Sequence, residues 1–143
     1  MSPLTALAIT DLALLVAAAA LGLTSLLAWL RHRQSGFPTT KAIAHIVLQV
    51  IAIGVWCAFA VTGAVAAGWA AFVIITAGQV VGDLLMFASY RARHPDDPRP
   101  RYLTAGGDVL SFRRPVPALH ALVGAIAWFG MLAICIAATA AQA

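Results

Sequence analysis

Three ionisable side chains stand within long apolar stretches of the chain: His45, Asp83 and His120. A charged group at the centre of a bilayer costs about 2.5 kcal/mol or more unless it faces protein or water, so each of the three marks a place where structure or chemistry compensates. Two neutral imidazoles on separate helices can ligate a b-type haem, which would make His45 and His120 the cofactor-binding pair of an electron-transfer subunit. Asp83, with Gln79 and Gln49, can instead line a path for a proton or cation in a small oligomeric transporter or channel, with the histidines titrating near neutral pH. The plain alternative is structural: a histidine one turn inside a membrane helix reaches back to the interface or bonds a neighbouring carbonyl, and Gln and Asp tie helices together.

Helical spacing groups these residues. Thr76, Gln79, Asp83 and Tyr90 share one face, His45, Gln49 and Trp56 another, and His120, Gly124, Ala127 and Met131 a third. Counted from Lys41 and Pro115, the two histidines lie about 6 and about 7.5 Å along their helices, and Asp83, counted back from Arg91, lies about 12 Å in. The histidines are therefore expected at one depth, with Asp83 a turn deeper. In an up-and-down bundle they come from diagonal helices about 13 Å apart, a gap that suits a haem between two imidazoles better than one small ion.

Other constellations are weaker. The chain has no Glu, so paired-glutamate chemistry and a His-Glu zinc motif are excluded, and neither a serine-hydrolase elbow nor a phosphate-binding glycine loop is present. The protein is not expected to be an enzyme on its own. His32 and His94 lie in basic loops, and a metal set of His94, Asp96 and Asp97 is opposed by Pro95 and the neighbouring arginines. Asp11 is expected to cap the first helix, and Cys57 and Cys135 to act as small core residues, whether or not they meet.

The elements that must position these groups follow from composition. Hydrophobic residues make up 62% of the 143-residue chain and charged residues 10%, with a mean hydropathy of +0.93. A soluble domain carries about 25% charged residues, so the bilayer is the expected solvent. Four segments are long enough to span it, near 12–30, 42–67, 69–89 and 116–141, giving an all-α, integral membrane four-helix bundle in a single domain, 1–143. All nine Lys and Arg residues fall between Arg31 and Lys41 or between Arg91 and Arg114. Loops 31–41 and 90–115 are therefore expected on the cytoplasmic side, with both chain ends on the non-cytoplasmic side of a bacterial plasma (inner) membrane. Arg31 and Arg33 directly follow the first apolar segment, a stop-transfer order, so that segment is expected to remain as a helix.

The formal charge of +4 is accounted for by this topology, so anionic lipid rather than nucleic acid is the expected electrostatic partner. Gly68 is expected to make the reversal between the second and third helices. Pro95, Pro98 and Pro100 exclude a helix from the long loop, where residues 105–108, Ala-Gly-Gly-Asp, read as a hairpin turn, with Tyr102, Leu103, Leu110 and Phe112 resting among lipid headgroups. The loops of the two halves do not match, and no repeat is expected; Ser35, Gly36, Phe37 and Pro38 have no counterpart. Small-residue pairs at Gly78 and Gly82 and at Gly54 and Ala58 permit close helix approach. With thin helices and no complete catalytic set, the leading expectation is a non-catalytic subunit or accessory of a larger membrane assembly, as a homo-oligomer or with other membrane subunits. The haem-binding and cation-path readings stand beside it.

Overall fold

The computed structural model describes residues 2–31 and 38–142. His32, Arg33 and the expected Ser35-Gly36-Phe37 feature lie outside the described residues. Five helices follow one another: α1 (Pro3–Arg31), α2 (Thr39–Thr62), α3 (Val65–Arg93), α4 (Tyr102–Leu110) and α5 (Pro115–Ala140), and the described residues contain no strand. All but α4 are long and apolar enough to cross a membrane. Their outward faces are clad in side chains such as Val16, Leu23, Val50, Val73 and Phe129, which only an apolar surrounding accommodates at low cost.

The helix ends differ from the expected ones for local reasons. Ser2 caps α1, its hydroxyl accepting the Thr5 N–H at 3.1 Å, so the helix begins more than two turns before Asp11. Asp11 is therefore no cap; it is a buried residue of the helix interior, 3% exposed. The reversal after α2 falls at Gly63, whose φ of 71° is the left-handed conformation that glycine adopts freely, and its N–H closes on the Phe59 carbonyl at 2.8 Å. Gly68 instead lies buried inside α3, where a Cβ would stand 3.2 Å from Phe59 and 3.4 Å from the Cys135 sulfur.

The expected hairpin is a helix, α4. All three loop prolines precede it, and its two mid-helix glycines cost about 1 kcal/mol each relative to alanine. Tertiary contacts offset that cost. Ala105 is fully buried, Tyr102 packs edge-on against Phe87 with centroids 6.0 Å apart, and Asp108 accepts hydrogen bonds from Arg93 and Arg114. Phe112, at φ 57°, turns the chain from α4 into α5, which opens with proline in its first turn.

In the bundle α2 packs most extensively on α3, and α1 on α5, while the contacts that join these two pairs are sparser. The core at the chain-end half holds Trp56, Ile75, Met131 and Cys135, each fully buried, and the Trp56 indole donates to the Ala8 carbonyl at 3.1 Å. The expectation of no repeat is corrected here. The buried residues Ala8, Asp11, Leu15 and Ala18 of α1 recur at one constant displacement as Gly68, Ala71, Ile75 and Gly78 of α3. Ala52, Trp56 and Phe59 of α2 recur in the same way as Ala127, Met131 and Ile134 of α5, and His45 as His120. Two helix pairs thus repeat, with α4 inserted in the second.

Candidate functional site: a histidine pair between repeated helices

His45 on α2 and His120 on α5 meet in the middle of the bundle. Their ring centroids are 6.2 Å apart and their planes are inclined at 83°. The diagonal of about 13 Å that the sequence suggests separates helix axes; the side chains project inward from both and close most of that distance.

Each ring is held by the helix paired with its own. His45 Nδ1 lies 2.8 Å from the Gly78 carbonyl on α3, and His120 Nδ1 lies 2.8 Å from the Ala18 carbonyl on α1. A carbonyl only accepts, so Nδ1 carries the proton in both rings. The neutral imidazole then has its lone pair on Nε2, the tautomer of a metal ligand whose other nitrogen is fixed by an outer partner. Among the described residues neither Nε2 has a hydrogen-bond partner. The repeat relates the two anchors: Ala18 and Gly78 are counterparts, and so are Gly22 and Gly82, one turn further along.

Those glycines leave the rings their space. A Cβ on Gly22 would stand 2.9 Å from His120 Cε1, and one on Gly82 would stand 3.1 Å from His45 Cε1. Both are closer than an ordinary carbon contact of about 3.5–4.0 Å. Gln49 lies over Gly78, its amide nitrogen 2.8 Å from where a Cβ would be, and Gln79 stands between Gly82 and Gly124. Ser25, one turn from Gly22, has a buried hydroxyl without a hydrogen-bond partner.

The 6.2 Å centroid separation matches that of two imidazoles sharing one metal. With metal–nitrogen bonds of roughly 2 Å, and about 1 Å more from each nitrogen to its ring centre, two imidazoles on one iron have centroids about 6 Å apart. A bare ion held by a larger protein ligand set fits less well: the described residues contain no group of three or more His, Cys, Asp or Glu side chains placed to share one.

Asp83 is placed differently from the expected ring. It follows Gly82 and so lies at the level of His45 rather than a turn deeper, and both its carboxylate oxygens lie 3.2 Å from the Tyr102 hydroxyl of α4. Thr76 and Tyr90 of the same stripe are also spoken for. Trp128 donates to Thr76 at 2.9 Å, and Tyr90 donates to Asp97 at 3.1 Å. Of the other sequence candidates, His94 stacks on Tyr90 and approaches Asp108 at 3.6 Å, away from Asp96. Both cysteines are free thiols, Cys57 exposed and Cys135 buried.

The α4 cluster joins the end of α3 to the start of α5. Desolvation raises the Asp108 carboxyl, but the hydrogen bond and charge of Arg93, the charge of Arg114 and the His94 contact outweigh it and hold the group below its ordinary range. Burial and the neighbouring Asp83 carboxylate push the Tyr102 phenol up. Sequence reasoning missed this helix and also the carbonyl anchors; the Gly22 and Gly82 match, each shortly before an arginine that ends the apolar run, was a readable trace of them.

The fold and site define a four-helix bundle of membrane type with paired histidines in its middle. No protein-family model, curated protein or solved structure matches the chain.

Proposed function

We propose that this chain is a b-type haem-binding electron-transfer subunit of the membrane, with His45 and His120 as the residues that would hold the haem. The observation that carries the reading is the 6.2 Å separation of imidazoles from opposite helices, each with its Nδ1–H committed to a carbonyl. Gly22 and Gly82 support it, because bare backbone there lets each imidazole seat against the neighbouring helix and reach its carbonyl. Haem bound there supplies one-electron transfer, tuned by its ligands and its apolar surroundings. The chain itself orients both rings and fixes their tautomer.

A one-electron carrier needs a donor and an acceptor, so the protein acts as a non-catalytic subunit or accessory of a larger membrane assembly. Gly54, with nothing within 4 Å of its Cβ position, and exposed Ala58 offer a face for close packing of another helix. The basic groups from Arg31 to Lys41 and from Arg91 to Arg114 orient the chain with these ends of the helices in the cytoplasm and both termini outside, in a bacterial plasma membrane.

The test is the visible spectrum of the protein purified in mild detergent, with co-purifying subunits identified. Wild type should give the reduced-minus-oxidised bands of a b-type haem, and His45→Ala and His120→Ala should each lose them. A colourless wild type, or haem retained when both histidines are replaced, overturns the assignment.

A further inference from the structure

The connection from α3 to α5 first turns back along α3, and α4 then returns it. His94 stacks on Tyr90 with ring centroids 4.3 Å apart, Asp97 accepts from the Tyr90 hydroxyl at 3.1 Å, and Tyr102 meets Phe87 and Asp83. The contacts thus step down the helix as the chain advances. Phe87 and Asp83 lie about 9 and about 15 Å before Arg93 along α3. Six residues after Tyr102, Asp108 is back at Arg93 and Arg114, at the helix ends. The segment is therefore a hairpin whose tip is Arg101, Tyr102 and Leu103. Bilayer hydrocarbon takes about 20 helical residues, which on α3 is the apolar run from Trp69 to Ser89, so Phe87 and Asp83 stand within it and Tyr90 at the headgroups. Leu103 at the tip is 87% exposed and Leu110, on the same face of α4, is 50% exposed, whereas Ala105 on the opposite face is fully buried.

We propose that this hairpin dips into the membrane and binds an anionic phospholipid, whose phosphate bridges Arg99 and Arg101 and whose acyl chains lie along Leu103 and Leu110. The order of side chains suits a descent from water to hydrocarbon: Asp96 and Asp97 first, then Arg99 and Arg101, then Tyr102 and Leu103. Both arginines are exposed, and among the described residues neither forms an ion pair. Of the carboxylates close by in the chain, Asp97 is bonded by Tyr90, Asp108 is taken by Arg93 and Arg114, and Asp96 stands further from the tip. At the level between Tyr90 and Phe87 the anions that a bilayer supplies are lipid phosphates, which a guanidinium holds through paired N–H donors. Pro95, Pro98 and Pro100 suit an unpaired leg at that depth, because each removes a backbone N–H that would otherwise need a partner. Lipid binding here requires the long helices to span a membrane and is independent of haem at the histidine pair.

Two measurements on the full chain test the site and its depth. In mild detergent, titration with phosphatidylglycerol or phosphatidylcholine, followed by native mass spectrometry, should show that wild type favours phosphatidylglycerol. Arg99→Gln combined with Arg101→Gln should lower that preference about tenfold or more, since each basic group near a membrane surface contributes about fivefold. Arg91→Gln combined with Arg113→Gln removes the same charge from two other exposed positions and should change the preference no more than about twofold. In bilayers, a spin label on Leu103→Cys in a Cys57→Ala background, with Cys135 buried, should collide more readily with oxygen than with a water-soluble nickel chelate. A label on Asp96→Cys should do the reverse. No lipid preference in wild type, equal losses in the two double variants, or a Leu103→Cys label as open to nickel as the Asp96→Cys label overturns the proposal. Both readouts are expected whether or not the protein binds haem, so failure here and failure of the haem reading are told apart by the visible spectrum.

Discussion

Replacing Gly22 by alanine tests the histidine site with little disturbance elsewhere. The added methyl would stand 2.9 Å from His120 Cε1 and 3.2 Å from Nδ1. Ordinary carbon contacts begin near 3.5 Å, so the ring must retreat by about 0.6 Å or more. It is held by the Ala18 carbonyl one turn away on the same helix, and retreat lengthens that 2.8 Å hydrogen bond. Losing the partner that orients a metal-bound histidine costs about 10–100-fold in affinity, and Gly22→Ala should weaken haem binding by that order. Gly82→Ala, with its methyl at 3.1 Å from His45, should do the same to a smaller degree, and Gly54→Ala, with nothing within 4 Å, should leave affinity unchanged. Alanine is the better helix former by about 0.8–1.0 kcal/mol, so α1 itself is not weakened. The assay is haem titration of apoprotein followed by absorbance, with helicity by circular dichroism as control. Wild-type affinity in Gly22→Ala, or equal losses in all three variants, would refute the reasoning.

Trp56→Ala should lower resistance to unfolding in SDS by about 3–5 kcal/mol, because the side chain is fully buried, whereas Trp56→Phe, which mainly forfeits the bond to Ala8, should cost about 1 kcal/mol. Asp108 is held below its ordinary range, so its contribution to docking α4 is complete at neutral pH, above the unfolded value of 3.8, and is lost as pH falls through the lower folded value. Protection of α4 amides relative to their intrinsic exchange rates should therefore fall on acidification, and Asp108→Asn should show the lower protection already at pH 7. Tyr102→Phe and Asp83→Asn should each speed exchange in α4 and leave haem absorbance unaltered; loss of haem in Asp83→Asn would place that carboxylate in the site after all.

How much was readable in advance varied with the range of the force involved. Apolar runs of some twenty residues have one good solution in hydrocarbon, so four long helices and the candidacy of His45 and His120 followed from residue types alone. Asp11 was misread because its cap role depended on where the helix began, which Ser2 settles by bonding the Thr5 N–H. The helix at α4 was hidden for a different reason: its glycines argue locally against helix, and the groups that hold it, Arg93, Phe87 and Asp83, lie on α3. The repeat was obscured by that same insertion, which breaks the common displacement of its two helix pairs.

Composition and the lengths of the apolar runs determined by themselves that the chain folds as long helices suited to a membrane, and which few polar groups those helices would enclose. Only the tertiary structure decided that two of those groups end 6.2 Å apart, that each bonds a carbonyl through Nδ1, and that Asp83 turns to α4 instead. The physical reason is that backbone hydrogen bonding within a helix is local, whereas its rotation about its own axis is set by the side chains of its neighbours. A few tens of degrees of that rotation separate a ligand pair from two unrelated histidines.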